Sequence, residues 1–138
     1  MPTLKVRDLM TTEVVALNPD DDLGTLRDLM LDRHVRHVPV VDADGEIVGL
    51  VTHRDLLRSS LIEQADTPPF IEQAMLTRTR VRDVMTADVE TVPADADLRE
   101  AAQIMFENKF GCLPVVEGRR LVGILTEADF VRFHAQGE

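Results

Sequence analysis

The hydrophobic positions along the chain follow two periods, one typical of strands and one typical of helices. Aliphatic runs at residues 13–17, 38–41 and 46–51 predict strands, since turn-forming residues such as asparagine, proline, aspartate and glycine lie beside each run. Between the first two runs, leucine and methionine recur at helical spacing behind Asp22, a residue suited to cap a helix. A second helix is expected to begin at Thr52. The predicted order is β-α-β-β-α, with the first two strands parallel and joined by a right-handed crossover.

This order of elements occurs twice in the sequence. Val-Arg-Asp-Leu-Met-Thr at residues 6–11 returns as Val-Arg-Asp-Val-Met-Thr at residues 81–86. Gly-Leu-Val-Thr-His-Arg-Asp at residues 49–55 returns as Gly-Ile-Leu-Thr-Glu-Ala-Asp at residues 123–129. An internal repeat of this kind indicates two copies of one supersecondary unit. One copy alone would bury only a modest core, so we expect the two copies to pack on each other.

The repeats divide the chain into repeat one at residues 1–60, a linker with a short helix at 61–80, and repeat two at 81–138. The linker contains two consecutive prolines, which disfavour helix at the residue before them. Four apolar residues then recur at helical spacing: Phe70, Ile71, Ala74 and Met75. Such a stripe is typical of a connector helix packed on the module, which we favour, and also of a surface for a dimer or a partner.

Composition places the chain among soluble globular proteins, with 44% hydrophobic and 29% charged residues. No apolar run approaches the roughly 20 residues of a membrane span, and the first residues lack the apolar core of a secretory signal. Cys112 is the only cysteine, which excludes an intrachain disulfide and favours a cytoplasmic location.

The net charge of −10 argues against nucleic acid as a partner, because binding to phosphate backbones needs an extended basic surface. An anionic ligand must therefore be met by a local basic cluster. The first repeat contains one, although a solvated charged face would have the same composition: Arg33, His34, Arg36, His37, His53 and Arg54.

The repeated Thr-x-x-Asp motif lies where a strand is followed by a helix, at Thr52 with Asp55 and at Thr126 with Asp129. This spacing is that of a capping box, in which threonine and the acid bond reciprocally to backbone amides. Capping alone does not account for the glycine three residues before each threonine, since glycine inside a strand weakens it. A ligand that approaches the strand end, with the aspartate accepting hydrogen bonds from a vicinal diol such as ribose, would account for both features.

These motifs together resemble a tandem pair of cystathionine-β-synthase (CBS) domains, often called a Bateman module. The residues that carry the resemblance are the Arg-Asp-h-Met-Thr segments (h, aliphatic), the Pro-h-h strands at Pro39 and Pro114, and the two Gly-h-h-Thr-x-x-Asp motifs. The resemblance covers nearly the whole chain outside the linker. It implies an α/β (α+β) fold of two β-α-β-β-α repeats packed with pseudo-two-fold symmetry.

The resemblance also implies a function. Bateman modules bind adenosine-containing ligands between the repeats, so AMP, ADP or ATP is expected here, with S-adenosylmethionine or NAD as other possibilities and no required cofactor. In the family, threonine and aspartate hold the ribose, residues before the Pro-h-h strand approach base or phosphate, and the first strand contacts the base, which puts Thr11 and Val15 at the first repeat's site. The implied ligand-binding residues are Thr11, Val15, Arg36, His37, Pro39, Thr52, Arg54, Asp55, Thr86, Gly111, Pro114, Thr126 and Asp129.

The resemblance indicates a regulatory module rather than an enzyme. We expect a homodimer that acts in trans on another protein, with no nucleic acid and no membrane as partner. The basic residues favour tighter binding of a phosphorylated nucleotide at the first repeat. A ligand-free adaptor built on the same fold is the main alternative. A catalytic role for Cys112 and a metal site formed by His34, His37 and His53 are disfavoured, because no motif activates the thiol or fixes the geometry of the histidines.

Overall fold

The computed structural model describes residues 3–58 and 68–136, so the start of the predicted linker lies outside the described residues. In chain order the elements are α1 (Leu23–Arg33), β1 (His37–Val41), β2 (Ile47–Thr52), α2 (His53–Arg58), α3 (Pro69–Arg78), β3 (Val92–Pro93), α4 (Leu98–Asn108), β4 (Cys112–Glu117), β5 (Arg120–Thr126) and α5 (Glu127–Ala135). Short 3-10 turns lie at Val6–Asp8 and Val81–Asp83. None of the helices in the described ranges is long and apolar enough to cross a membrane.

The chain folds into two compact units. The first-repeat unit consists of residues 15–89, and the second-repeat unit combines residues 1–14 with residues 90–138. Each unit has its own small sheet, helices and hydrophobic core. The mixed α/β fold that the sequence predicts is thereby confirmed.

In the first-repeat unit, β1 and β2 form an antiparallel hairpin. Gly45 supplies the left-handed conformation of its turn, with φ of 80°. The strand predicted at residues 13–17 is reduced to one parallel bridge between Leu17 and Val40. It ends there because the chain turns directly afterwards, with the Asp21 amide bonded to the carbonyl oxygen of Asn18 at 3.1 Å.

Two helices begin behind an aspartate cap, which the sequence predicts at Asp22 and which recurs at Asp97. Oδ1 of Asp22 accepts a hydrogen bond from the Thr25 amide at 2.8 Å at the start of α1. Oδ1 of Asp97 accepts one from the Arg99 amide at 2.9 Å at the start of α4. Both helices bury the residues that recur at helical spacing: Leu23, Leu26 and Met30 in α1, and Leu98, Ala101 and Met105 in α4.

In the second-repeat unit, β3 pairs in parallel with β4, and β4 pairs antiparallel with β5. The predicted parallel arrangement of the first two strands of a repeat is therefore confirmed here. The order β3-β4-β5 places β4 between the other two strands. The core behind the sheet collects aliphatic residues from β4, β5 and α4.

Each unit includes the opening segment of the other repeat. In the second-repeat unit, the backbone of Thr11 pairs with Ile124 of β5 through 2.9 Å hydrogen bonds in both directions. In the first-repeat unit, the backbone of Thr86 pairs with Leu50 of β2 in the same way and at the same distance. Three residues of these segments are buried in the cores: Val6, Leu9 and Val81.

Gly49 and Gly123 lie where these opening segments cross the second strand of each hairpin. A Cβ atom at Gly49 would lie 2.5 Å from the sulfur of Met85 and 3.1 Å from the carbonyl oxygen of Thr86. A Cβ atom at Gly123 would lie 2.7 Å from the sulfur of Met10 and 3.0 Å from the carbonyl oxygen of the following residue. The close approach of the chain itself, rather than of a ligand, is thus the reason for both glycines.

We expect Gly49→Ala to lower the free energy of unfolding by about 1–3 kcal/mol, the usual cost of forcing a carbon into a packed site. Urea unfolding followed by circular dichroism measures this change. Met85→Ala in the same background tests the cause, since removing the sulfur makes room for the added methyl group. The double variant should then lose less stability than the sum of the two single variants. Full additivity would show that Met85 is not the obstacle.

α3 packs on α1, but through a different face from the predicted stripe. Leu76 is fully buried, and Gln73 accepts a hydrogen bond from Arg27 of α1. Phe70 and Ile71, which belong to the predicted stripe, are 75% and 41% exposed. The stripe is wrong as the packing face because the contact with α1 uses the opposite positions of the helix.

Candidate functional site

The first candidate site lies where β1 begins and β2 ends. The antiparallel register pairs His37 with Thr52, and the His53 amide donates to the carbonyl oxygen of Arg36 at 2.8 Å. The side chains of Arg36 and Arg54 are exposed. The hairpin therefore brings the basic residues before β1 beside the Thr-x-x-Asp motif after β2.

Asp55 is held by the capping box that the sequence predicts. Its Oδ2 accepts hydrogen bonds from the Thr52 amide at 2.8 Å and from the Thr52 hydroxyl at 3.1 Å. The Asp55 amide donates to the Thr52 hydroxyl oxygen at 3.2 Å. Among the described residues, Oδ1 of Asp55 has no hydrogen-bond partner. Every buried side-chain oxygen of the described residues has one, so Oδ1 of Asp55 is not a buried atom. Oδ1 therefore reaches solvent and keeps its capacity to accept hydrogen bonds.

Thr86 is the residue that the opening segment of the second repeat brings to this site. Its backbone pairs with Leu50, two residues before Thr52, and its side chain is exposed. The first-repeat unit thus contains a threonine hydroxyl, a carboxylate and basic side chains at one end of one hairpin.

The second candidate site has the same backbone geometry and different side chains. Cys112 pairs with Thr126 across β4 and β5, and the Glu127 amide donates to the carbonyl oxygen of Gly111 at 3.2 Å. Gly111 and Cys112 occupy the places of Arg36 and His37, so neither of these two positions carries a basic side chain. Glu127 is exposed and adds a negative charge.

Asp129 is fully engaged by protein partners. Its Oδ2 accepts from the Thr126 amide at 2.8 Å and from the Thr126 hydroxyl at 3.2 Å. Its Oδ1 accepts from the Thr11 hydroxyl at 2.9 Å and from Nη2 of Arg132 at 2.8 Å. The residue is 1% exposed. The two Thr-x-x-Asp motifs therefore differ, because the carboxylate is closed in one and open in the other.

Other residues expected at the first repeat's site have different surroundings. Thr11 lies in the second-repeat unit, where its hydroxyl donates a hydrogen bond to Asp129 of the second Thr-x-x-Asp motif. Val15 is half-buried just before Leu17. Pro39 and Pro114 are buried within β1 and β4, so they shape the strands.

Arg132 is the residue at these sites that sequence reasoning missed. It lies three residues after Asp129 on α5, so both side chains share one helix face. The Asp-x-x-Arg spacing was the available signal. It is a weak one, because acid and base at this spacing are common on solvated helices.

The structure gives no support to the catalytic or metal alternatives. Burial raises the pKa of the Cys112 thiol to about 12, so the thiol is protonated at neutral pH and a poor nucleophile. His34 adopts the left-handed conformation at the end of α1, with φ of 55°. Within residues 3–58 and 68–136, no three or more His, Cys, Asp or Glu side chains are grouped to hold a metal ion.

Known proteins share both the sequence pattern and the fold. CBSX2 of Arabidopsis thaliana, solved in complex with AMP, has 31% sequence identity and a TM-score of 0.82, and the match covers 97% of this chain and 98% of that structure. The uncharacterized protein YlbB of Bacillus subtilis is 32% identical over 91% of this chain and 78% of its own length. The uncharacterized protein MJ1404 of Methanocaldococcus jannaschii is 33% identical over 98% of this chain, which spans only 33% of that relative.

The family model of the CBS domain matches the two repeats separately, at residues 6–62 and at residues 81–135. These ranges contain both hairpins and both Thr-x-x-Asp motifs. The chain therefore belongs to the CBS domain family and carries two CBS domains in tandem.

Proposed function

We propose that this chain is a regulatory module that binds an adenosine-containing nucleotide at the first-repeat site. The observation that carries the proposal is the open Oδ1 of Asp55 beside the basic residues that precede β1. A vicinal diol can donate hydrogen bonds to such a carboxylate oxygen. Arginine and histidine at the same end of the hairpin suit a phosphate group.

The roles of individual residues follow from this geometry. Asp55 would accept the ribose hydroxyls, with Thr52 fixing its orientation through the capping box. Arg36 and Arg54 would offer positive charge to the phosphate, with His37 beside them in an otherwise acidic chain.

The comparison with CBSX2 supports the ligand class. That structure contains AMP, and its fold matches nearly the whole of this chain. We propose AMP, ADP or ATP as the ligand, with S-adenosylmethionine or NAD as less favoured members of the same class. The nucleotide would act as a reversible signal in the cytoplasm and not as a cofactor.

We propose further that the module acts in trans on a partner protein and catalyses no reaction. A protonated, buried thiol and a carboxylate already used for capping provide no activated nucleophile. Binding would instead alter the surface or the assembly of the module.

A homodimer is the assembly that the helices favour. A groove of about 900 Å³ lies on α4 and α5, and its lining is mostly apolar: Ala102, Met105, Phe106, Glu107, Lys109, Phe110, Glu127, Phe130 and Val131. Phe106 and Val131 are 81% and 68% exposed. Large apolar side chains this exposed are typical of an interaction surface. The charges at its border include both signs, so a second copy can meet it with Lys109 facing Glu107 or Glu127.

The ligand class can be tested with a sugar analogue. We expect 2′-deoxy-AMP to bind about ten- to a hundredfold more weakly than AMP, because a hydrogen bond to a charged group contributes roughly 1.5–3 kcal/mol. Isothermal titration calorimetry of the purified protein measures both affinities. Equal affinities would contradict the assignment of Asp55 to the ribose diol. Absence of binding by any adenosine ligand to the folded protein would favour the adaptor function.

A further inference from the structure

The carboxylate of Asp129 has no acceptor capacity left for a ligand. A carboxylate offers about four lone-pair sites, and Asp129 uses them for two hydrogen bonds from Thr126, one from Thr11 and one from Arg132. A diol could bind only after displacing Thr11 or Arg132. Arg132 is the stronger obstacle, because its guanidinium also neutralises the charge that would attract the hydroxyl groups.

We propose that Arg132 is a specificity-determining residue that closes the second Thr-x-x-Asp motif to diol ligands. The inference rests on the proposed function, because it concerns the same ligand class at the second repeat. It accounts for two unequal sites within one chain. Arg132 is itself 54% exposed in its side chain, so it lies over Asp129 at the surface of the unit.

The first repeat contains the same residues without the same closure. Thr86, Asp55 and Arg58 occupy the positions of Thr11, Asp129 and Arg132. Among the described residues, Asp55 bonds only to Thr52, and no ion pair joins it to Arg58. The difference therefore lies in the partners of the carboxylate and not in which residues are present.

Two phenylalanines hold α5 on either side of Arg132. Phe130 and Phe133 both pack against the core of the second-repeat unit, so consecutive turns of α5 are fixed and Arg132 lies between them. In the first repeat, the position of Phe133 is taken by Ser59, which lies outside the described residues.

Arg132→Met tests the proposal, with Arg58→Met as the matched control. Methionine keeps the length of the side chain and removes both charge and donors. We expect calorimetric titration with AMP to show one binding event per chain for the wild type and for Arg58→Met. Arg132→Met should show a second binding event, because its second-repeat site should bind AMP about tenfold or more tightly than that of the wild type. This gain corresponds to about one charged hydrogen bond. Thr11→Val, which removes the other donor to Oδ1, should act in the same direction with a smaller effect.

Circular dichroism of each variant verifies that the fold is retained. A single event in both Arg132→Met and Thr11→Val, with the wild type also binding once, would overturn the inference and leave the proposed function intact. Two equal events in the wild type would do the same. Weaker binding in Arg132→Met would show that Arg132 contacts the nucleotide and would also overturn it. If no protein in the series binds AMP, ATP or any other adenosine ligand, the proposed function fails and the inference fails with it.

Discussion

Asp55→Ala is expected to abolish the binding of AMP and ATP, while Asp129→Ala leaves that binding in place. The open Oδ1 of Asp55 would accept up to two hydrogen bonds from a ribose. Each hydrogen bond to a charged group contributes roughly 1.5–3 kcal/mol. The loss of both corresponds to an affinity at least about a hundredfold lower.

The two substitutions are a matched pair because each removes the acid of one capping box. The loss of a cap lowers stability by about 0.5–2 kcal/mol in either case. Asp129→Ala should cost more, since it also leaves Thr11 and Arg132 without their acceptor. Calorimetry with AMP and ATP on both variants, at a temperature where circular dichroism shows them folded, gives the result. Loss of binding in Asp129→Ala alone would reverse the assignment and place the basic cluster at a surface or partner contact.

The local parts of both sites could be predicted from the sequence. The Thr-x-x-Asp spacing produces a capping box at Thr52 and again at Thr126, because the bonds involved span only three residues. The hairpin also follows from local information, since a turn with Gly45 sets the register of β1 and β2. That register places Arg36 and His37 beside the motif.

The partners of the opening segments could not be predicted from local patterns. The hydroxyl of Thr11 bonds a carboxylate 118 positions later in the chain. The sequence predicts that a ligand approaches the glycines of the two motifs, whereas in the structure Met10 and Met85 lie against them. In both cases the contact joins distant parts of the chain, so the spacing of residues within one repeat does not predict it.

The same limit explains why the apolar stripe predicted in the linker is not the packing face of α3. Helical spacing predicts that α3 has an apolar face, but it does not say which neighbour the helix meets. α1 meets Leu76, so Phe70 remains outside even though it belongs to the more obvious stripe. A pattern of apolar residues thus locates a helix more reliably than it locates the contact of that helix.

The proposed dimer uses the groove lined by α4 and α5. Phe106 is its most exposed large side chain, at 81%, and Phe110 and Val131 lie beside it. Burial of one phenylalanine contributes about 1.5–3 kcal/mol. In a two-fold symmetric contact the same residue is buried on both copies, so its contribution counts twice.

Phe106→Glu should therefore convert a dimer into a monomer. The substitution removes about 3–6 kcal/mol of apolar burial per dimer and brings a carboxylate into the contact, where an unpaired charge is costly. Light scattering at micromolar concentration should give twice the 15.4 kDa chain mass for the wild type and the chain mass itself for the variant. Phe70→Glu is the matched control, because Phe70 is 75% exposed on α3 and lies outside the groove. A dimer that survives Phe106→Glu but dissociates with Phe70→Glu would place the interface on α3. A monomeric wild type would rule out the proposed dimer at that concentration.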